Sequence, residues 1–219
     1  TKKINYVVDA DIEGFFDNVD HDWMMKFLEH DIADKNFLRY IKRFLKAGVM
    51  EDMQYSESDL GTPQGGLISP VLANVYLHYV LDLWFDKVWT KQCKGEAYMG
   101  RYADDFVCMF QYENEAKRFF RELELRLGKF NLKLAKDKSR IFRFGRFAKQ
   151  NSAEGKTETF DFLGFTHING KTLTGKYTVV HRTSKKKQKV KKQTVKDWLV
   201  ENTHGNPSDV IKLLNRKLV

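Results

Sequence analysis

The stretch that decides the fold is Met99-Gly100-Arg101-Tyr102-Ala103-Asp104-Asp105-Phe106-Val107-Cys108-Met109-Phe110. Its pattern predicts a strand, a tight turn with two adjacent aspartates, and a second strand. Adjacent carboxylates raise each other's pKa, because like charges at close range disfavour ionisation. Bound cations would relieve this repulsion, and carboxylate oxygens are ligands that Mg²⁺ prefers. For an isolated pair of aspartates, an exposed acidic turn is the alternative interpretation.

A second β-rich apolar run, Ile4–Ile12, also ends in carboxylates, at Asp9 and Asp11. If this strand lies beside the predicted hairpin, Asp11 faces Asp104 and Asp105. Three such carboxylates can hold two divalent ions roughly 3.5–4 Å apart, which is the arrangement used for in-line phosphoryl transfer. One ion would activate an attacking hydroxyl, and the other would neutralise charge on a leaving pyrophosphate. The sequence therefore predicts a two-metal site at these strand ends.

Five motifs follow one another along the chain: DIEGFFDNVDH at 11–21, GTPQGGLISP at 61–70, YADD at 102–105, LKL to KSRI at 132–141, and FDFLGF at 160–165. In type and order they resemble the palm of reverse transcriptases, in particular that of bacterial group II intron-encoded proteins. The PQGG element and the alanine of YADD are typical of the intron-type and related prokaryotic branches. The resemblance implies an enzyme, an RNA-directed DNA polymerase that transfers nucleotides to a primer 3′-hydroxyl.

The resemblance also implies a set of catalytic residues. Asp11, Asp104 and Asp105 are the expected metal ligands, and the backbone carbonyl of Ile12 is a further ligand. The implied cofactor is a pair of Mg²⁺ ions, for which Mn²⁺ can substitute. Lys138 resembles the basic residue near the triphosphate that protonates the leaving pyrophosphate, with a solvated surface lysine as the alternative.

Four residues are expected to contact the incoming nucleotide: Ile12, Phe16, Gln64 and Gly65. Phe16 resembles the steric gate against the ribose 2′-hydroxyl, the group that distinguishes the two sugars locally. Neighbouring side chains in extended backbone point to opposite sides, so either Phe15 or Phe16 should leave the core. Gln64 and Gly65 lie in a loop whose glycines permit close backbone approach. Gln64 can donate a hydrogen bond to the nucleotide or to the template.

The segment Phe162, Leu163 and Gly164 resembles the primer grip, a hairpin that holds the primer 3′ end against the carboxylates. Ordinary hydrophobic packing between palm and thumb is the alternative for these side chains.

The chain has a formal net charge of +9, which favours a polyanionic partner. An acid-free basic run accounts for almost the whole excess: Arg182, Lys185, Lys186, Lys187, Lys189, Lys191, Lys192 and Lys196. Solvated helix faces usually mix signs. We therefore expect this run to contact phosphates, with binding that falls steeply as salt rises. The implied partners are an RNA template, a DNA or RNA primer, deoxynucleoside triphosphates and intron RNA.

Periodicity predicts an α+β fold in which an antiparallel sheet is backed by helices on one face, as in a ferredoxin-like polymerase palm. The other face should carry the aspartates and meet the duplex. The expected helices span about 22–30, 34–47, 69–89, 113–130, 185–202 and 207–218, and strands follow at about 139–144, 159–168 and 176–181. We expect a palm over residues 1–181 and the N-terminal part of a helical thumb over 182–219.

Several expectations concern the inner faces and ends of these helices. The second helix should bury Phe37 and Phe44 with its other apolar residues, and the fourth should bury Leu125. Ser69 should be the N-cap of the third helix, and Pro70 its first residue.

The two thiols, Cys93 and Cys108, fit neither a zinc motif nor a disulfide framework. No segment is long and apolar enough for a membrane span, and no signal peptide pattern opens the chain. We therefore expect a bacterial cytoplasmic setting without a membrane partner. By the resemblance, the family's fingers would precede the first motif, so this piece by itself should polymerise weakly.

Three alternative functions remain open on the sequence. The chain could be an RNA-binding maturase, or splicing cofactor, with little polymerase activity of its own. It could belong to another prokaryotic branch, such as the CRISPR-associated, retron or diversity-generating reverse transcriptases. It could also use the palm fold for other chemistry, as nucleotide cyclases do.

Overall fold

The structure, a computed structural model, describes residues 2–46, 49–51, 54–56, 60–61, 68–148 and 157–218. The strands are β1 (Tyr6–Ala10), β2 (Val49–Glu51), β3 (Gln54–Ser56), β4 (Ala97–Tyr102), β5 (Asp105–Phe110), β6 (Arg140–Arg143), β7 (Thr159–Phe162), β8 (Phe165–Lys171) and β9 (Tyr177–Thr183). The helices are α1 (His21–Asp31), α2 (Lys35–Lys46), α3 (Ser69–Leu77), α4 (Thr90–Gln92), α5 (Glu113–Lys129), α6 (Lys185–Glu201) and α7 (Pro207–Leu218). This arrangement confirms the α+β class.

The central element is a four-stranded sheet with the strand order β4-β5-β1-β6, in which all neighbouring strands are antiparallel. Strand β1 therefore lies directly beside the aspartate hairpin formed by β4 and β5, as expected. In the β1–β5 register, Asp9 pairs with Val107 and Ala10 pairs with Phe106. This register sets which side chains share a face, because successive residues of a strand alternate between the two faces.

One face of the sheet packs against the helices and forms the larger core. Alternate residues of β5, Phe106, Cys108 and Phe110, are buried there. Phe119 of α5 lies at the centre of an aromatic cluster, with its ring centroid 5.1 Å from that of Phe110 and 5.3 Å from that of Trp89. Burial of this apolar area is the main source of stability, at about 25 cal/mol per Å².

The helix expected at 69–89 is not regular along its length. After α3 the chain passes through two π-helical stretches, His78–Asp82 and Phe85–Trp89, before α4. A π-helical turn holds more residues than an α-helical turn, so it rotates the following side chains relative to α-helical periodicity. Val71 and Val88, two apolar residues of this segment, are 60% and 44% exposed.

The expected N-cap of α3 was also wrong, by one residue. Ser69 is the first helical residue and is buried, and Ile68 occupies the cap without a side-chain hydrogen bond. Pro70 lies in the first turn, where its missing N–H is tolerated.

Two helices bury a narrower face than the sequence suggested. In α2, Leu38 and Ile41 are buried, but Phe37 and Phe44 are 50% and 56% exposed. In α5, Leu125 is 75% exposed. The expectation that these three side chains face the core was wrong. Phe37 and Phe44 lie at the edge of the apolar arc of α2, whereas Leu125 lies on the opposite side of α5 from the buried Leu123 and Leu127.

A second sheet, with the order β7-β8-β9, lies against the other face of the central sheet. Val7 and Val107 from the central sheet form a small core with Phe160 of β7. The expectation of an open face was therefore wrong for this part of the sheet, because apolar side chains on both faces of β1 need cover. The expected strand at 159–168 is two strands, joined by a turn in which Leu163 and Gly164 have φ angles of 52° and 79°.

The two C-terminal helices expected from the sequence are present as α6 and α7. The division into a palm and a partial thumb at residue 181 stays a prediction. Within the described ranges, no helix combines the length and the apolar composition needed to cross a bilayer.

Two leucines of α5 provide a matched test of the larger core. Leu123 is fully buried, whereas Leu125 is 75% exposed. We expect Leu123→Ala to lower the free energy of unfolding by about 2–5 kcal/mol, the usual cost of a buried leucine. Leu125→Ala should change it by less than about 0.5 kcal/mol. Urea unfolding followed by tryptophan fluorescence measures both, and equal losses would contradict the orientation of α5.

Candidate active site

The two acidic motifs meet at one end of the central sheet. Because Ala10 pairs with Phe106, the next residues outward are Asp11 on the β1 side and Asp105 on the β5 side. Both aspartates line an open cleft of about 320 Å³. The predicted convergence of these two strand ends is therefore present in the tertiary structure.

Asp11 is fixed by backbone contacts with the segment before β6. Its N–H donates to Oγ of Ser139 at 3.1 Å, and its carbonyl accepts from the N–H of Ala135 at 2.9 Å. Ile12 forms an antiparallel bridge with Leu134. The two hydrogen bonds of this bridge are made by the Asp11 carbonyl and the Glu13 N–H. The Ile12 carbonyl takes part in neither of them.

Lys138 lies beside Asp11, and its role near the triphosphate stays a prediction. Its Nζ is 3.7 Å from Oδ2 of Asp11, and both side chains are more than one third exposed. An exposed ion pair of this kind contributes little to stability. Its significance is geometric, because it places an ammonium group at the carboxylate cluster.

The carboxylates of the cleft repel one another. Partial burial raises the pKa of Asp105, and the negative charges of Asp104 and Asp11 raise it further. Burial likewise raises the pKa of Asp9, with Asp105 and Asp11 contributing, although Arg140 opposes the shift. The cleft therefore concentrates negative charge that a cation would stabilise.

Two residues without a predicted role, Asp9 and Arg140, interact beside this cluster. Nε of Arg140 is 3.7 Å from Oδ2 of Asp9, and Nη2 of the same guanidinium donates to the carbonyl of Thr159 at 2.8 Å. Arg140 thus connects the acidic strand to β7. The signal available in the sequence was the two-residue spacing of Asp9 and Asp11, which places both on one face of β1.

The fit of this site to divalent cations rests on its donor chemistry. In the part of the chain that the structure describes, no three aspartate, glutamate, histidine or cysteine side chains are grouped closely enough to hold a metal ion. The donor set of Asp11, Asp104 and Asp105 is nevertheless the all-oxygen, anionic type that Mg²⁺ prefers. Burial raises the pKa of the Asp105 carboxyl, and the charges of Asp104 and Asp11 raise it further, so a bound cation would favour the ionised form.

The backbone at the expected gate differs from the expectation. Phe15 is buried and Phe16 is partly exposed, with the two ring centroids 5.3 Å apart. The premise of extended backbone was wrong, because residues Phe15–Asp17 form a 3₁₀ turn. The role of Phe16 stays a prediction, and Gln64 and Gly65 lie outside the described residues.

Gly61, the first residue of the GTPQGG motif, lies directly against the turn that contains Phe16. It has a φ angle of 85°, and a Cβ atom there would be only 2.8 Å from the Phe16 carbonyl oxygen. The Gly61 carbonyl is 2.6 Å from Nε2 of His21. Glycine is required at this position because of both the backbone conformation and the close approach.

Comparisons with known proteins agree with the architecture and the motifs. The family described as reverse transcriptase (RNA-dependent DNA polymerase) matches residues 1–167. The chain belongs to the reverse transcriptase family. The group II intron-encoded protein LtrA of Lactococcus lactis subsp. cremoris is 47% identical over 82 residues, which cover 36% of this chain and 14% of LtrA. Protein YkfC of Escherichia coli is 30% identical over 169 residues, which cover 62% of this chain and 43% of YkfC.

Among solved structures, apo telomerase from Candida tropicalis, truncated of its C-terminal domain, superimposes with a TM-score of 0.59 and 13% identity. The match covers 81% of this chain and 36% of the telomerase chain. It therefore supports the polymerase-palm fold. This chain spans less than half the length of each of these three relatives.

The reverse transcriptase cleft also contains the segment that resembles the primer grip. Phe162, Leu163 and Gly164 line it, and the Gly164 carbonyl accepts a hydrogen bond from the N–H of Ser184 at 3.0 Å. Ser184 is the N-cap of α6, so this bond places the beginning of the lysine-rich helix at the rim of the cleft.

The basic run divides into separate groups. Lys186 lines the cleft. Lys185, Lys189 and Lys192 lie together along a shallow groove on α6, and Arg182 lies on β9. Only part of the predicted nucleic-acid-binding set is thus brought to the carboxylates, and the rest extends away from them along the helix.

The raised pKa of Asp105 predicts a pH-dependent effect on stability. A carboxyl whose native pKa exceeds its unfolded value stabilises the fold when protonated, and this contribution is lost as pH rises through the native pKa. We therefore expect Asp105→Asn to unfold at a higher temperature than the wild type at pH 7 without divalent cations. The difference should close as pH falls towards about 4.

Thermal unfolding between pH 7 and pH 4 measures this difference. Glu29→Gln, which removes an exposed carboxylate on α1 far from the cleft in sequence, is the matched control. A wild type that is more stable than Asp105→Asn at pH 7 would contradict the repulsion between these carboxylates.

Proposed function

We propose that the chain contains the catalytic centre of an RNA-directed DNA polymerase that extends a primer 3′-hydroxyl with deoxynucleotides. The single observation that supports this most strongly is the cleft itself. Asp11 and Asp105 lie at adjacent strand ends, and the same cleft is lined by Lys138, by the 162–164 turn and by Lys186. Carboxylates, a general acid and a surface for a primer end are thereby brought together.

In this proposal Asp11, Asp104, Asp105 and the carbonyl of Ile12 hold two Mg²⁺ ions, with Mn²⁺ as a substitute. When bound, such ions lower the pKa of an attacking hydroxyl and neutralise charge on a leaving pyrophosphate. The protein holds the ligands in place through the β1–β5 pairing and through the backbone bonds that fix Asp11. Preorganisation of this kind reduces the cost of assembling the site during the reaction.

Two further side chains, one in the cleft and one outside its lining, have proposed roles in the reaction. Lys138, whose ammonium lies 3.7 Å from Asp11, would supply a proton to the leaving pyrophosphate. Phe16, which is partly exposed beside Gly61, would exclude a ribose 2′-hydroxyl by its bulk. Gln64 and Gly65 are proposed to contact the nucleotide on the sequence resemblance alone.

The proposed partners are an RNA template, a DNA or RNA primer and deoxynucleoside triphosphates. Intron RNA is a further proposed partner, because relatives that match this chain are named as intron-encoded or intron proteins. The telomerase of Candida albicans, a structural neighbour with a TM-score of 0.58, was solved in complex with a fragment of telomeric RNA. A bacterial cytoplasmic location is part of the same proposal.

A second candidate function, RNA binding in support of splicing, is favoured by the position of the α6 lysines. Lys185, Lys189, Lys192 and Lys196 line a groove that the carboxylates do not share. Phosphate contacts there would not require the chemistry of the cleft. RNA binding that Asp104→Asn leaves unchanged, without any nucleotide incorporation by the wild type, would select this function.

The polymerase proposal predicts the effect of Asp104→Asn. We expect incorporation of deoxynucleotides on an RNA template to fall about a thousandfold, because a lost metal ligand removes several kcal/mol of transition-state stabilisation. RNA affinity should stay within about twofold, since phosphate contacts lie elsewhere. Activity that survives this substitution would contradict the assignment.

Metal binding is measured separately from activity. Mg²⁺ should raise the unfolding temperature of the wild type, because a ligand that binds only the native state stabilises it. It should have no such effect on Asp104→Asn. An equal shift in both proteins would place the ion elsewhere.

A further inference from the structure

Helix α2 exposes an aromatic face that the catalytic proposal does not use. Phe37, Tyr40 and Phe44 are 50%, 52% and 56% exposed, while Leu38 and Ile41 on the adjoining side of the helix are buried. The spacing of the three aromatic residues places them along one side of the helix. Exposed aromatic residues in such a row indicate an interaction surface more strongly than scattered ones do.

The same helix is strongly basic. It contains five cationic residues and no acidic one: Lys35, Arg39, Lys42, Arg43 and Lys46. The guanidinium carbons of Arg39 and Arg43 lie 5.8 and 5.9 Å from the Tyr40 ring centroid, so cations flank the central aromatic side chain. Over the described ranges, no carboxylate forms an ion pair with any of the five.

We propose that this face, Phe37, Tyr40 and Phe44 with the cations around them, is a docking surface for single-stranded RNA. Aromatic rings stack on unpaired bases, and the lysine and arginine side chains contact the phosphates between them. An apolar protein segment would cover the rings but would not compensate five unpaired cations. A duplex would satisfy the cations but would keep its bases away from the rings.

The spacing of the rings agrees with a strand whose bases are unstacked. Tyr40 follows Phe37 by three residues, and Phe44 follows Tyr40 by four. Successive rings are therefore separated by about 4.5 and 6 Å along the helix axis. Both exceed the roughly 3.4 Å spacing of a stacked strand. The surface is also separate from the cleft, whose lining residues come from the β-strands, the turns beside them and the start of α6.

The test compares a triple variant, Phe37→Ala with Tyr40→Ala and Phe44→Ala, against the wild-type chain. Fluorescence anisotropy with a labelled single-stranded RNA of mixed sequence measures the affinity. We expect the triple variant to bind about tenfold or more weakly, since each lost ring removes a stacking contact. The control variant, Val71→Ala with Leu125→Ala, removes other exposed apolar side chains and should bind as the wild type does.

A second variant, Arg39→Gln with Arg43→Gln, tests the phosphate contacts. The slope of log affinity against log salt should fall by about 1.4, at about 0.7 per contact on a single strand. Unchanged RNA affinity in the triple variant would overturn the proposal. So would a triple variant that keeps RNA affinity but changes the oligomeric state in sedimentation, because the face would then join copies of this chain.

A different observation concerns the turn that carries the paired aspartates. Ala103 has a φ angle of 54°, in the left-handed region that non-glycine residues rarely adopt. Nη1 of Arg101 donates to the Ala103 carbonyl at 2.8 Å and to Oδ1 of Asn74 at 2.9 Å. The other edge of the guanidinium makes a bidentate pair with Asp82, at 2.7 and 2.5 Å.

These contacts connect the turn to the irregular part of the long helix. Asp82 is the last residue of the first π-helical stretch, and such stretches occur frequently at functional sites. Arg101 is mostly buried, with 12% of its side chain exposed. A buried bidentate pair has a defined geometry, so Arg101 is held rigidly while it binds the strained carbonyl.

We infer that Arg101 is a positioning residue that holds Asp104 and Asp105 in register with Asp11, and that Asp82 and Asn74 orient it. This inference rests on the proposed polymerase function. A misplacement of the carboxylates by about 1 Å would cost about a hundredfold in rate. The substrate itself does not need to contact Arg101.

The test uses Asp82→Asn, which keeps the shape of the side chain but weakens the pair, together with Arg101→Gln. We expect kcat to fall about a hundredfold in Arg101→Gln with little change in the nucleotide KM, and the half-saturating Mg²⁺ concentration to rise about tenfold. Because Asp82 acts through Arg101, the double variant should be no worse than Arg101→Gln. Lys87→Gln, an exposed cation on the same helical segment, is the control.

The Mg²⁺ concentration that half-maximally raises the unfolding temperature gives a readout that does not depend on incorporation. A wild type that binds Mg²⁺ but incorporates no nucleotide would contradict the polymerase function. The Mg²⁺ dependence of the unfolding temperature, compared between the wild type and Arg101→Gln, would still test the role of Arg101. An Mg²⁺ dependence that is the same in Arg101→Gln and the wild type would overturn the positioning role.

Discussion

The antiparallel pairing of β1 with β5 is the constraint on which the candidate site depends. The pairs Asp9 with Val107 and Ala10 with Phe106 leave Asp11 and Asp105 as the next residues at the same end of the sheet. A shift of one residue would turn Asp11 towards the helices and Val8 towards the cleft, because strand side chains alternate between faces. Apolar burial on both sides of β1 opposes that shift, so the packing of the core also fixes the position of the carboxylates.

The candidate site lowers the stability of the folded protein, and contacts in the surrounding structure offset this loss. Partial burial and neighbouring charge raise the pKa of Asp105, while the turn before it places Ala103 in a left-handed conformation. Both features oppose folding. Arg101 stabilises the turn through the Ala103 carbonyl, and the aromatic core beneath the sheet contributes the burial that outweighs these costs. Arg140 offsets the like-charge repulsion at the neighbouring Asp9. Active sites commonly retain such unfavourable features, because the same geometry serves the chemistry.

The accuracy of the sequence interpretation depended on how local each feature was. The hairpin around Asp104 and the C-terminal helices follow from alternation, turn residues and helix signals over short segments, and the structure confirms them. The exposure of Phe37 and Phe44 was not predictable from α2 alone, because an aromatic residue at the edge of an apolar arc is buried only if a neighbour reaches it. The strands at about 159–168 and 176–181 were expected, but their position over Val7 and Val107 was not predictable, for the same reason.

By itself, the sequence determined the family, the α+β class and the two acidic strand ends, because these depend on residue order and short-range pattern. The tertiary structure alone decided which groups surround those ends: Lys138 beside Asp11, Arg140 beside Asp9, and Arg101 between Asp82 and the Ala103 carbonyl. These contacts join residues from separate elements, and the π-helical stretch that positions Asp82 departs from the helical periodicity on which a sequence-based prediction relies. Contacts across elements are set by packing, which no local pattern encodes.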